Sequence, residues 1–216
     1  MIVNNFRSNP KQTPFAPEWN YHMFEKIIND VDFKDVENYL LNKEQEILKI
    51  NPTEKDGKVS DGYTGLGAKS TTARYDKYNV LKWDNKNIQK IKDNIVEFHN
   101  EILNYLKLPP VKELYVQCWV NIMRNNEVIK PHIHTVQPDC YLGGHICVKT
   151  NNTSTHYINP INQINDPVVF SSKNEIGKMT LFNNNIPHYT DKVKDERITI
   201  AFDLATNQVN NELRII

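Results

Sequence analysis

Between residues 85 and 107 the apolar side chains Ile88, Ile91, Ile95, Phe98, Ile102 and Leu106 recur every three or four positions, so on a helix they share one stripe. Pro109 and Pro110 follow and cannot continue a helix. This predicts an amphipathic helix laid on a sheet, with His99 beside the stripe and partly exposed. Similar spacing in PEWNYHMFEKIINDV (17–31) and KDVENYLLNKEQEILKI (34–50) predicts two further helices, with His22 on a helix surface. Between 51 and 72 the pattern vanishes into NPTEKDGKVSDGYTGLGAKSTT, a Gly-, Lys- and Ser-rich loop long enough to be a lid or disordered.

From residue 111 the period changes to two. In YVQCWVNIM, Tyr115, Gln117, Trp119 and Asn121 fall on one face and Val116, Cys118, Val120 and Ile122 on the other, as in a half-buried strand. The runs YLGGHICVKT, STHYINPI, PVVFS, GKMTLF and ERITIAFDL are equally strand-like. The expectation is a single domain over 1–216: a helical N-terminal part over 1–110, then an antiparallel sandwich or barrel over 111–205. There are no internal repeats.

A chain of 216 residues is long enough for one substantial core and would be crowded as two domains. Lys plus Arg and Asp plus Glu both number 26, so no basic field indicates nucleic acid. The opening MIVNNFRSNPKQTP lacks a signal-peptide run, and no stretch reaches the roughly 18 apolar residues of a membrane span. A soluble cytoplasmic protein is expected. Cys118, Cys140 and Cys147 are odd in number and show no C-x-x-C spacing, which argues against a disulfide framework or a thiolate zinc site.

Candidate chemistry sits in the second half. In KPHIHTVQPD, His132 and His134 are two residues apart, so on a strand both project from one face. They could bind one ion if that face lines a cavity, or be two polar residues of a surface strand. His188 follows Pro187, where a strand end and a rigid turn can fix an imidazole. Alternation in the strand after it sets Arg197, Thr199 and Ala201 against Ile198, Ile200 and Phe202. An arginine among small residues points into a confined space and requires an anionic partner.

With these residues the sequence resembles the 2-oxoglutarate and Fe(II)-dependent oxygenases, and within them a branch often met in bacterial and phage genomes. The likeness rests on Trp119 and Asn121, His132-Ile-His134, Gly143-Gly144, Asn159-Pro160, Gly177 to Phe182, His188, RITIAFD, and TTARYDKYNVLKWD ahead of the barrel. It covers about residues 70 to 205. It implies a mainly β fold with N-terminal helices around a double-stranded β-helix (jelly-roll, cupin-like) core. It also implies Fe(II) held by His132, His134 and His188, and 2-oxoglutarate anchored by Arg197 and Thr199, with succinate and CO2 released as a substrate is hydroxylated. If the chain is phage-encoded, its compartment is the host cytoplasm.

The H-x-H pair sets imidazole where most members of that superfamily carry a carboxylate. An all-imidazole set is also at home in oxoacid-independent cupin-like dioxygenases, and a catalytically silent binding or virion-associated barrel is a third reading. Asn121 either bonds the chelating end of the oxoacid or packs in the sheet. Trp119 is a core or pocket-wall residue, and His145 and His156 are polar residues of the sandwich faces. Asp139 is either a loop carboxylate or the missing acidic ligand, with Pro138 favouring a loop and so His134. The expected partners are the small cosubstrate and an unidentified substrate, with no membrane; the oligomeric state is left open, a homodimer included.

Overall fold

The computed structural model describes residues 1–8, 13–15, 17–134, 139–161, 167–208 and 211–216. The chain runs β1 (Ile2–Arg7), β2 (Asn20–Ile27), α1 (Phe33–Leu48), a small hairpin β3 (Glu54–Lys55) and β4 (Lys58–Val59), and α2 (Lys86–Leu106). It continues through β5 (Tyr115–Met123), β6 (Cys140–Lys149), β7 (Ser154–Ile158), β8 (Val169–Lys173), β9 (Lys178–Asn183), β10 (His188–Thr190), β11 (Arg197–Ala205) and β12 (Leu213–Arg214). Seven strands form a major sheet in the order β1-β2-β9-β6-β11-β5-β12, and β10-β7-β8 form a minor sheet. All pairings are antiparallel. No helix among the described residues is long and apolar enough to cross a membrane.

Both helices cover the outer face of the major sheet. Asn85 caps α2 by accepting from the backbone N–H groups of Asn87 and Ile88, and Lys107, with φ of 57°, turns the chain out of it before the prolines. Ile88, Ile91, Ile95 and Phe98 are fully buried in one core with Val36 and Leu40 of α1 and with Val116, Val120, Ile198, Ile200, Phe202 and Leu204 of the sheet. Each such side chain contributes about 1.5–3 kcal/mol, so a charge at Ile95 would break the seam. His99 is an exception to the expected surface position: it is completely buried, and its Nε2 lies 2.6 Å from the Tyr141 hydroxyl. Burial pushes its pKa down to about 4.

The helix expected over 17–31 is instead strand β2, paired with β1 and β9. Its neighbours Met23 and Phe24 point to opposite faces, Met23 into a cluster with Phe6, Tyr157, Phe182 and Ile186 and Phe24 into the main core. A strand buried on both faces lacks polar alternation, and its apolar spacing imitates a helix. His22 is therefore a strand residue, stacked on Phe24 at 5.2 Å, and its pKa is lowered by burial. Strand β5 is likewise buried on both faces, not one, because its second face lines a cavity between the two sheets.

Candidate active site

The inner face of the major sheet is laid out by register. Arg197 pairs with Met123, Thr199 with Asn121, Ala201 with Trp119 and Asp203 with Gln117; across β6, Ala201 meets His145 and Asp203 meets Gly143. Of these, Arg197, Thr199, Ala201, Asp203, Asn121, Trp119 and His145, with the minor-sheet residues Thr155, His188 and Thr190, line a cavity of about 370 Å³, within the usual range for small-molecule sites. Ser60, Asp61, Tyr63 and Thr64 of the 51–72 loop form part of its wall.

His132, His134 and His188 meet at one end. One donor atom from each lies within 4.8 Å of the others, and among the described residues no other group of three or more possible metal ligands converges in this way. The H-x-H segment is not a full strand. His132 forms a single antiparallel bridge with His188, each backbone N–H donating to the other's carbonyl at 3.1 and 2.9 Å, and the two rings of the pair still face the same side. Every Nδ1 is occupied: that of His132 by the Lys130 carbonyl at 2.9 Å, that of His188 by the Ile186 carbonyl at 3.1 Å, and that of His134 by Asp203 Oδ1. Carbonyls only accept, so Nδ1 carries the proton on His132 and His188, and Nε2 is the free lone pair. Burial, then the neighbouring imidazoles, lower the His132 pKa to about 4 and that of His188 well below its ordinary value. Imidazole nitrogens converging in this way suit a borderline cation such as Fe(II).

Arg197 lies at the other end, 2 % exposed. Among the described residues its guanidinium donates only to Met123 Sδ at 3.5 Å and Thr155 Oγ1 at 3.4 Å, and its Nε has no partner there. Arg74, also buried, is instead bonded to the Ile50, Ala68, Ser70 and Leu48 carbonyls. Desolvation lowers the Arg197 pKa, the mark of a buried charge left unmatched. Thr199 and Asn121 line the same cavity. Thr72 Oγ1 donates to Asn121 Oδ1 at 2.6 Å, which turns the amide nitrogen of Asn121 away from Thr72 as the remaining donor.

Other expected positions sort as follows. Trp119 is a cavity wall. His145 is buried on the inner face with Nε2 2.9 Å from the Tyr157 hydroxyl, and burial pushes its pKa to about 3. His156 lies on the minor sheet between Ser171 at 2.8 Å and Asp191 at 2.9 Å. Asp139 does not line the cavity, and its carbonyl accepts from Thr206 N at 3.0 Å; the loop expected at 136–138 lies outside the described residues. The carboxylate beside the imidazoles is Asp203, which sequence reasoning missed although the alternation that placed Arg197, Thr199 and Ala201 continues to it. Thr72 lies in the TTARYDKYNVLKWD stretch, but its pairing with Asn121 left no local signal, because the partner is 49 residues away.

No protein-family model matches the sequence, and no curated protein matches it. Solved structures do. A prolyl-4-hydroxylase from Pseudomonas putida superposes with a TM-score of 0.57 at 9% identity, over 86% of this chain and 93% of that one. SnoN, a non-heme alpha ketoglutarate-dependent epimerase from nogalamycin biosynthesis, gives 0.53 at 10% identity over 84% and 76%; it is also known in complex with Fe3+, alpha ketoglutarate and nogalamycin RO. A 2OG-Fe(II) oxygenase family oxidoreductase from Burkholderia pseudomallei gives 0.43 at 15% identity over 60% of this chain and 63%, under two thirds, of that one. The two facing sheets are thus the jelly-roll, double-stranded β-helix core found in 2-oxoglutarate and Fe(II)-dependent oxygenases.

Proposed function

We propose that this chain is a non-haem Fe(II) and 2-oxoglutarate-dependent oxygenase that hydroxylates a substrate with release of succinate and CO2. The observation that carries the reading is the pairing, in one cavity, of three convergent imidazoles with a buried arginine that has no carboxylate partner among the described residues. The first is a cation site, and the second an anion site. A dicarboxylic oxoacid that chelates at one end and forms a charge-assisted pair at the other satisfies both. Arg197 would bind the far carboxylate in its planar fork, with Thr199 and Thr155 adding hydroxyl contacts. Asn121, held by Thr72, would donate to the chelating end. His132, His134 and His188 would hold the iron, which when bound supplies the redox chemistry of O2 activation. The 51–72 loop would exclude water over the bound cosubstrate. Burial of Arg197 speaks against the oxoacid-independent reading, which needs no such cation.

The test is an anaerobic titration with Fe(II) and 2-oxoglutarate, following the weak visible charge-transfer band of the chelate. The band should appear in the parent protein, be absent in His188→Ala, which retains at most two of the three imidazoles, and need far more oxoacid in Arg197→Ala. A parent protein that binds iron but gives no band with saturating 2-oxoglutarate would remove the oxoacid from the proposal.

A further inference from the structure

Four residues lining the cavity carry a full formal charge: Lys55 and Asp61 in the loop, and Arg197 and Asp203 on β11. An imidazole must be neutral to ligate a cation, so the three histidines add none. A divalent ion and a dianionic oxoacid cancel each other, which leaves the buried Arg197 cation to be offset from within the cavity. Asp203 is the carboxylate placed on that inner face, six residues along the same strand. We infer that Asp203, acting through His134, supplies the negative charge that an acidic ligand would otherwise bring to the metal, and so compensates a ligand set made wholly of imidazole. This rests on the iron-binding reading above.

The geometry is specific to this pair. Asp203 Oδ1 bonds His134 Nδ1, and the Asp203 side chain is 15% exposed, so the charge is only partly screened by water. Directly across the ladder from Asp203, β6 carries Gly143. A Cβ there would stand 2.7 Å from His134 Nδ1 and 3.1 Å from its Cγ, so the missing side chain is what admits the ring against β6 and lets its Nδ1 reach β11. Trp119, at a centroid distance of 5.6 Å, and Phe182, at 5.4 Å, wall the ring on other sides. A carboxylate that accepts from the far nitrogen of a metal-bound imidazole increases the electron density on the near one, which strengthens the bond to the cation and favours the higher oxidation state. Asp203 is therefore a positioning and charge-tuning residue.

The experiment titrates Co(II) alone into the parent, Asp203→Asn and Asp203→Ala proteins, reading the visible d–d bands, and measures the Fe(III)/Fe(II) potential of the iron-loaded forms. Asparagine still accepts from Nδ1–H and keeps the shape, so it removes the charge only. Asp203→Asn should bind Co(II) about ten- to a hundredfold more weakly than the parent and show a raised potential. If Asp203→Asn stays within about twofold of the parent and keeps its potential while Asp203→Ala weakens, Asp203 only orients the ring and the charge inference is overturned. If the parent itself binds no Co(II), the iron-binding reading fails first and takes this one with it, a result separable from the other two.

Discussion

Replacing Gly143 with alanine adds one methyl group in a place where the structure leaves no room for it. The new Cβ would stand 2.7 Å from His134 Nδ1, 3.1 Å from Cγ and 3.2 Å from Cε1, whereas ordinary contact begins at 3.4 Å. The backbone of Gly143 is not in the left-handed region, so alanine is not strained there and the cost is purely one of packing. Either β6 or the imidazole must give by about 0.7 Å, and overpacking of this kind costs on the order of 1–3 kcal/mol. Strand β6 is held by β11 and β9 on both edges, so the ring yields first. Metal ligands tolerate about ±0.2 Å, so a displacement of that size should weaken Fe(II) or Co(II) binding by at least about tenfold. A thermal melt of metal-free protein and a Co(II) titration measure the two effects separately. A variant that melts below the parent yet binds Co(II) equally well would refute the assignment of His134 as a ligand. One that changes neither would refute the packing itself.

Arg197→Met removes a buried charge whose partners among the described residues are a thioether and one hydroxyl, so the metal-free variant should melt above the parent. Calorimetry should show its 2-oxoglutarate affinity reduced by one to two decades, about 1.5–3 kcal/mol for a charge-assisted contact. Thr72→Val frees the Asn121 amide to turn and should weaken 2-oxoglutarate by about 0.5–1.5 kcal/mol while sparing Co(II) binding, read in the same titrations. His99, with a pKa of about 4 against 6.5 when unfolded, refuses a proton that the unfolded chain accepts. Its contribution is therefore complete above pH 6.5 and lost as pH falls towards 4, by at most about 3 kcal/mol. Denaturant unfolding across that window should be less pH-dependent in His99→Gln.

Periodicity along the chain was enough for α1, α2 and the β strands of the second half, because each turns an apolar face to the core and its spacing records that face. It was enough, too, to set Arg197 and Thr199 on one side of β11, since strand alternation is a local property. It failed at β2 and at the second face of β5, where neighbours contributed by distant segments bury both sides and erase the pattern. His99 followed the same logic: it flanks the stripe of α2, and only Tyr141 of β6 makes it core. The convergence of His132, His134 and His188 was beyond periodicity, because a bridge across more than fifty residues of chain sets it. Whether Arg197 finds a carboxylate, which acid stands beside His134, and why residue 143 has no side chain are questions of register between strands. Register is chosen by the packing of the whole sheet, so only the tertiary structure decides them.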